Sequence, residues 1–225
     1  MTANDTAGST DALYPFLRAA PSDGDSDLFD DLRRSAAEKF AEVGELRASV
    51  VQRDADRIVA CADEMARLFA GGGRLFAFGN GGSSTDAQSL VSAFCHPGAG
   101  TPCLPAFALA NDVAVVTALA NDVSFDVVFS RQLAALGRAG DIAVGLSTSG
   151  GSENVLAAFT VARRTGMLTV GLAGYDGGRM ALADTIDHLF VVPSASVHRI
   201  QEAQTTVYHL IWATTVQQLQ ARPGP

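Results

Sequence analysis

The chain has 225 residues, 48% of them hydrophobic but only 7% aromatic, and carries a net charge of −8. That length holds one large domain or two small ones, and an acidic balance with a single lysine, Lys39, argues against a generic grip on a nucleic-acid backbone. No run of about 20 apolar residues crosses a membrane, and Cys61, Cys95 and Cys103 form neither a disulfide framework nor a zinc knuckle, so a soluble, cytoplasmic protein is expected.

Residues 1–25 are rich in Thr, Ser, Gly, Asp and Ala and read as a flexible tail. Its apolar patch, residues 13–17, hangs loose or docks on the domain or on a protein partner. Residues 26–222 read as a single domain. Leu28, Phe29, Leu32, Ala36, Phe40, Val43, Leu46 and Val50 recur with a period near 3.6, which predicts an amphipathic helix that Asp54 caps or restarts. A second helical pattern, with Ile58, Cys61, Met65 and Phe69, stops at Gly71, Gly72 and Gly73. This N-terminal helical pair carries more apolar surface than one α/β layer covers, so oligomerisation is expected.

Residues 75–78 are a continuous apolar run of strand length, Gly79, Gly81 and Gly82 supply a tight turn, and residues 85–94 have helical character. Backbone amides at a helix N-terminus suit a phosphate, although a bare strand-to-helix connection gives the same pattern. The dinucleotide fingerprint fails at Ser84, where a third Gly or Ala belongs, and no Walker Gly-Lys pair is present. Strands follow at Ala106–Ala108, 141–146, 168–173 and His188–Val192, with helices at 110–120, 125–136, Glu153–Thr165 and 197–220. This alternation predicts a mainly parallel sheet with helices on both faces and ligands beyond the carboxyl ends of the strands.

Ser147, Thr148, Ser149 and Ser152 follow the third strand and offer four hydroxyls at a helix start, either as a neutral phosphate cradle or as helix caps. On the last helix, Ile200, Ala203, Val207, Leu210, Ile211 and Thr214 form an apolar stripe, while His198, Glu202, Thr205 and His209 lie opposite, with Gln201 and Trp212 at the border. Such a face binds a metal, moves protons or is simply solvated.

GNGGSSTDAQSL (79–90), ALANDVSFDVVFSRQL (118–133), GDIAVGLSTSGGSENV (140–155), GYDGGRMA (174–181) and RIQE (199–202) stand in the order found in the sugar isomerase (SIS) domain family. The chain most resembles that family's sedoheptulose 7-phosphate isomerase (phosphoheptose isomerase) branch and its replication-initiator-binding relatives. The resemblance implies a three-layer α/β/α sandwich on a five-stranded parallel sheet, a homotetramer with active sites between subunits, and a sugar phosphate as ligand. It implies substrate contacts from Asn80, Gly81, Gly82 and Ser83, from Asn121 and Asp122, and from Ser147, Thr148, Ser149 and Ser152. It also implies a metal-binding Gln201 and a catalytic, metal-binding His209.

Similar isomerases carry a zinc-ligating His and a Glu that is both ligand and acid/base where this chain has Ser89 and Ala93. The resemblance therefore implies zinc only weakly. Glu202 is the replacement base, His209 the proton shuttle, and His198 or His96 a replacement ligand; Gly151 stands where an Asn is common. The expected activity is ketose-aldose isomerisation of a sedoheptulose 7-phosphate-like substrate, with a catalytically inactive phosphosugar-binding regulator or scaffold as the alternative.

Overall fold

The computed structural model describes residues 23–222, with side chains from residue 28 onward; of the expected tail, residues 1–22 lie outside the described residues and 23–25 open the first helix. The chain divides into two compact units, Met1–Gly44 and Glu45–Pro225. In the first, the described residues form one helical segment on which Leu28, Phe29, Leu32 and Phe40 are exposed and Arg33–Asp30 and Arg34–Asp31 pair one turn apart.

Helix α1 (Asp23–Ala70) runs unbroken where the sequence pattern predicts a pair of helices. Asp54 neither caps nor restarts it. Asp54 occupies a position of the buried stripe, in phase with Val50, Ile58, Cys61 and Met65, and is itself 1% exposed. Burial alone pushes its carboxyl upward, but hydrogen bonds from Arg53 at 2.5 Å and Arg57 at 2.8 Å outweigh this and hold it below the usual carboxylate range. The same two guanidinium groups donate to the Val191 and Leu189 carbonyls, so the outer edge of the last strand is occupied.

The second unit is built on a parallel sheet in the order β2 (Ala106–Ala108), β1 (Leu75–Gly79), β3 (Ile142–Ser147), β4 (Leu168–Gly174), β5 (His188–Val192). The intervening helices are α2 (Gly82–Cys95), α3 (Val113–Asp122), α4 (Val128–Leu136), α5 (Glu153–Thr165) and α6 (Val197–Ala221). The three-layer α/β/α sandwich follows from side-chain alternation on strands buried on both faces. Leu75 and Ala77 point into one core with Leu90, Phe94, Ile200 and Val207 from α2 and α6, whereas Phe76 and Phe78 point into the other with Phe129, Leu133 and Phe159 from α4 and α5.

Strand order reverses between β1 and β3: the chain leaves β1 toward β2 on one side, and continues from β3 to β4 and β5 on the other. Connections diverge there and leave a crevice at the carboxyl ends, the place where open α/β sheets bind ligands. Gly79 is in register with Leu146, which sets the loops after β1 and β3 side by side.

Candidate active site

The loop after β1 begins with Asn80, and the Ser83 and Ser84 amides fold back on the Asn80 and Gly81 carbonyls at 3.0 and 2.9 Å to start α2. Asn80 faces Asn154, the second residue of α5. Each side-chain amide donates to the other's oxygen at 2.9 Å.

The loop after β3 gathers hydroxyls. Ser147 Oγ lies 3.0 Å from Ser152 Oγ and 3.4 Å from Ser149 Oγ, and Ser149 Oγ accepts from the Gly151 amide at 3.2 Å. Ser152 precedes α5, yet its side chain makes no capping bond. Its hydroxyl joins the serine cluster instead, at the positive end of the helix. Gly150 is required here: its φ of 63° suits only glycine, and an added Cβ would collide with the Gly177 carbonyl of the segment after β4. That segment and the end of β4 support the serine loop through Met180 N to Gly150 O at 2.8 Å and Gly174 N to Thr148 O at 2.9 Å.

Gln201, in the first turns of α6, lies directly over Gly82, where any Cβ would overlap its amide. Its Nε2 donates to Asp86 Oδ2 at 3.4 Å. Burial pushes the Asp86 carboxyl up, and the Gln201 contact offsets only part of the rise. Tyr208, 2% exposed, continues the polar seam between α2 and α6: burial raises its phenol, the Thr205 and Ser89 hydroxyls act in the opposite sense, and the Asp86 charge adds to the rise.

The structure thus brings together Asn80, Gly82 and Ser83 with Gln201, and Ser147, Ser149 and Ser152 with one another, along the β1/β3 crevice. Gly81 and Thr148 stand in the same two loops, and the other expected residues are exposed. Asn121 and Asp122 are exposed at the end of α3 and bond to each other at 2.8 Å. Glu202 is exposed, and its backbone oxygen accepts from Arg47 Nε at 3.2 Å. His209 is exposed beside Arg47, Thr205 and Trp212, with Nδ1 2.8 Å from the Thr205 carbonyl. A carbonyl only accepts, so Nδ1 carries a proton and Nε2 is the outward-facing nitrogen. His198 and His96 are also exposed.

Among the described residues, no three or more His, Cys, Asp or Glu side chains are close enough to hold a metal ion. Ser89 and Ala93 supply none of the usual ligands. The residues of one chain do not fit a zinc site, and no chemical step below passes through one.

Three site residues escape sequence reasoning: Asn154, Asp86 and Tyr208. Each sits inside a helix whose pattern marks it only as an ordinary polar or aromatic position. The one available signal is Asn154 on the inner side of α5, between the serine loop and buried Val155.

A SIS domain model matches residues 40–174. The phosphoheptose isomerase of Desulfovibrio desulfuricans is 47% identical over 178 residues, 78% of this chain and 78% of that protein. That of Nitratidesulfovibrio vulgaris is 42% identical over 189 residues, 84% of this chain and 90% of that protein. The solved phosphoheptose isomerase of Neisseria gonorrhoeae superposes with a TM-score of 0.74 at 37% identity, covering 81% of this chain and 97% of that one. With five parallel strands in this order and glycine and serine loops meeting at the crevice, the chain belongs to the SIS domain family, among its phosphoheptose isomerases.

Proposed function

We propose that this chain is a sugar-phosphate isomerase that interconverts a ketose and an aldose, with sedoheptulose 7-phosphate or a close analogue as substrate. The observation that carries this reading is the serine cluster: three hydroxyls within 3.4 Å of Ser147 Oγ or on it, unused for capping, at the mouth of the β1/β3 crevice. Ser147, Thr148, Ser149 and Ser152 hold the phosphate, and the loop of Asn80, Gly81, Gly82 and Ser83 borders the sugar with Gln201. Two helix N-termini, of α2 and α5, face the anion.

Isomerisation moves a proton between C1 and C2 through an enediol and needs a base at carbon and an acid at oxygen. Glu202 takes the first role and His209, through Nε2, the second. Both are exposed on α6, as Asn121 and Asp122 are at the end of α3, which fits a homotetramer whose sites draw residues from neighbouring copies. The exposed Val113, Val123, Phe125 and Leu136 on and beside α3, and Leu28, Phe29, Leu32 and Phe40 on α1, are the apolar surface such an assembly would cover. No helix among the described residues is long and apolar enough to cross a membrane, in keeping with work in the cytoplasm.

The test is exchange of deuterium into C1 of sedoheptulose 7-phosphate in heavy water, followed by NMR, for the unsubstituted protein and His209→Ala. Exchange that vanishes in the variant supports the isomerase. Binding without exchange would favour a phosphosugar-sensing regulator, the reading for which Ser89 and Ala93 speak.

A further inference from the structure

Asn154 is 2% exposed and lies 74 residues from its partner Asn80. The two-point pairing takes one donor and one acceptor from each amide and fixes which way both face. Each loop is otherwise tied elsewhere. The glycine loop folds on itself through the Ser83 and Ser84 amides, and the serine loop is bonded internally and to the segment after β4. Among the described residues, no other side-chain hydrogen bond joins residues 80–84 to residues 147–154. A buried amide that loses such a partner leaves polar atoms unsatisfied, so the pair resists opening.

We propose that Asn154 is a positioning residue: through the Asn80 amide it holds the glycine loop in register with the serine loop, so that both close on one sugar phosphate. This rests on the sugar-phosphate reading of the site. Asn80 acts first as a strut, with one N–H and one lone pair left over for the sugar.

Asn154→Asp keeps the shape and makes the pairing depend on a proton. As a carboxylate it turns an oxygen lone pair toward Asn80 Oδ1, whereas as a carboxylic acid it donates an O–H there and restores both bonds. At pH 8 its KM for sedoheptulose 7-phosphate should exceed that of the unsubstituted protein by about tenfold, with kcat changed less. The ratio of the two KM values should begin to fall below about pH 5, where a carboxyl begins to protonate, and continue toward one as the pH drops further. Asn154→Ala should show the raised KM at every pH. An Asp variant whose KM tracks the unsubstituted protein throughout, or an Ala variant with unchanged KM, would overturn the proposal.

If Asn154→Asp does not fold, Asn80→Asp makes the same exchange of donor for charge from the half-buried side and carries the same expectation. Backbone hydrogen exchange across residues 79–85 supplies a readout free of substrate. Faster exchange in Asn154→Ala than in the unsubstituted protein supports the strut, and equal exchange refutes it. Failure of the unsubstituted chain to bind or turn over sedoheptulose 7-phosphate would instead defeat the sugar-phosphate reading, with the exchange result still deciding the pair.

Discussion

Gly82→Ala separates the fold from the site. Gly82 has ordinary helical backbone, so alanine is tolerated there, and replacing glycine at a compatible position stabilises by about 0.4–1 kcal/mol. Against this, the new Cβ would stand 2.9 Å from both Gln201 Cδ and Oε1, and closer still to Nε2. Contacts to a methyl carbon are comfortable near ~3.5 Å, and Nε2, the nearest atom, sets the demand, so the amide must retreat by more than ~1 Å. The obstacle is the far end of a flexible side chain: Gln201 can swing away at about 0.5–1.5 kcal/mol for an unfavourable rotamer, with loss of its long bond to Asp86. The two effects nearly cancel. Thermal unfolding should shift by no more than about 4 °C, while the KM for sedoheptulose 7-phosphate rises by about tenfold as Gln201 leaves its place. Differential scanning fluorimetry and steady-state kinetics on the same samples give both numbers. An unchanged KM would show that the Gln201 amide does not serve the site, and a collapse in melting temperature would show that its contact with Gly82 is structural.

Ser152→Ala removes a hydroxyl that caps nothing but bonds to Ser147 Oγ, so stability should fall by no more than about 1.5 kcal/mol, while affinity for inorganic phosphate, measured by calorimetry, falls by about tenfold; a larger loss of stability with unchanged affinity would make Ser152 a structural residue. Asp54→Ala leaves Arg53 and Arg57 without their buried partner, but both arginines are about half exposed and can rehydrate, so the loss should be about 2 kcal/mol rather than the ~3–5 of a fully buried pair. Because the folded Asp54 carboxyl titrates below its unfolded value near ~3.9, its contribution is complete above that pH and disappears as pH falls through the folded pKa. The gap between Asp54→Ala and the unsubstituted protein in urea melts should therefore narrow only below about pH 4; a gap constant down to pH 2 would contradict the pairing. Chelation with EDTA should leave turnover within about twofold, since Ser89 and Ala93 supply no ligand. Activity lost to EDTA and restored by zinc would mean that ligands come from a neighbouring copy.

Much of the fold is legible in one dimension because burial imposes a period. Leu75 to Phe78 reads as a strand since both faces are covered, and the Gly79, Gly81 and Gly82 turn reads as a strand-to-helix joint since only glycine gives that freedom. The serine loop is legible only as a choice between a hydroxyl cradle and helix caps, and the structure, where Ser152 caps nothing and bonds to Ser147, decides against its capping. Asp54 misleads for a physical reason, because an acid in a helical pattern looks like a cap until Arg53 and Arg57 are seen to make its burial tolerable.

Pairings between distant residues have no such period, and these decide the site. Nothing in the spacing of Asn80 and Asn154 announces that their amides meet; the register of β1 on β3 brings them together. Asp86 becomes a site residue only because α6 lays Gln201 across Gly82. Glu202 and His209 share the polar face of α6 that the helical wheel assigns them, yet no spacing announces that Arg47 of α1 lies beside both. Periodicity reports which side of an element is buried, a local matter of solvent exclusion, whereas the geometry of a site depends on where separate elements are docked, and only the packed sheet and helices decide that.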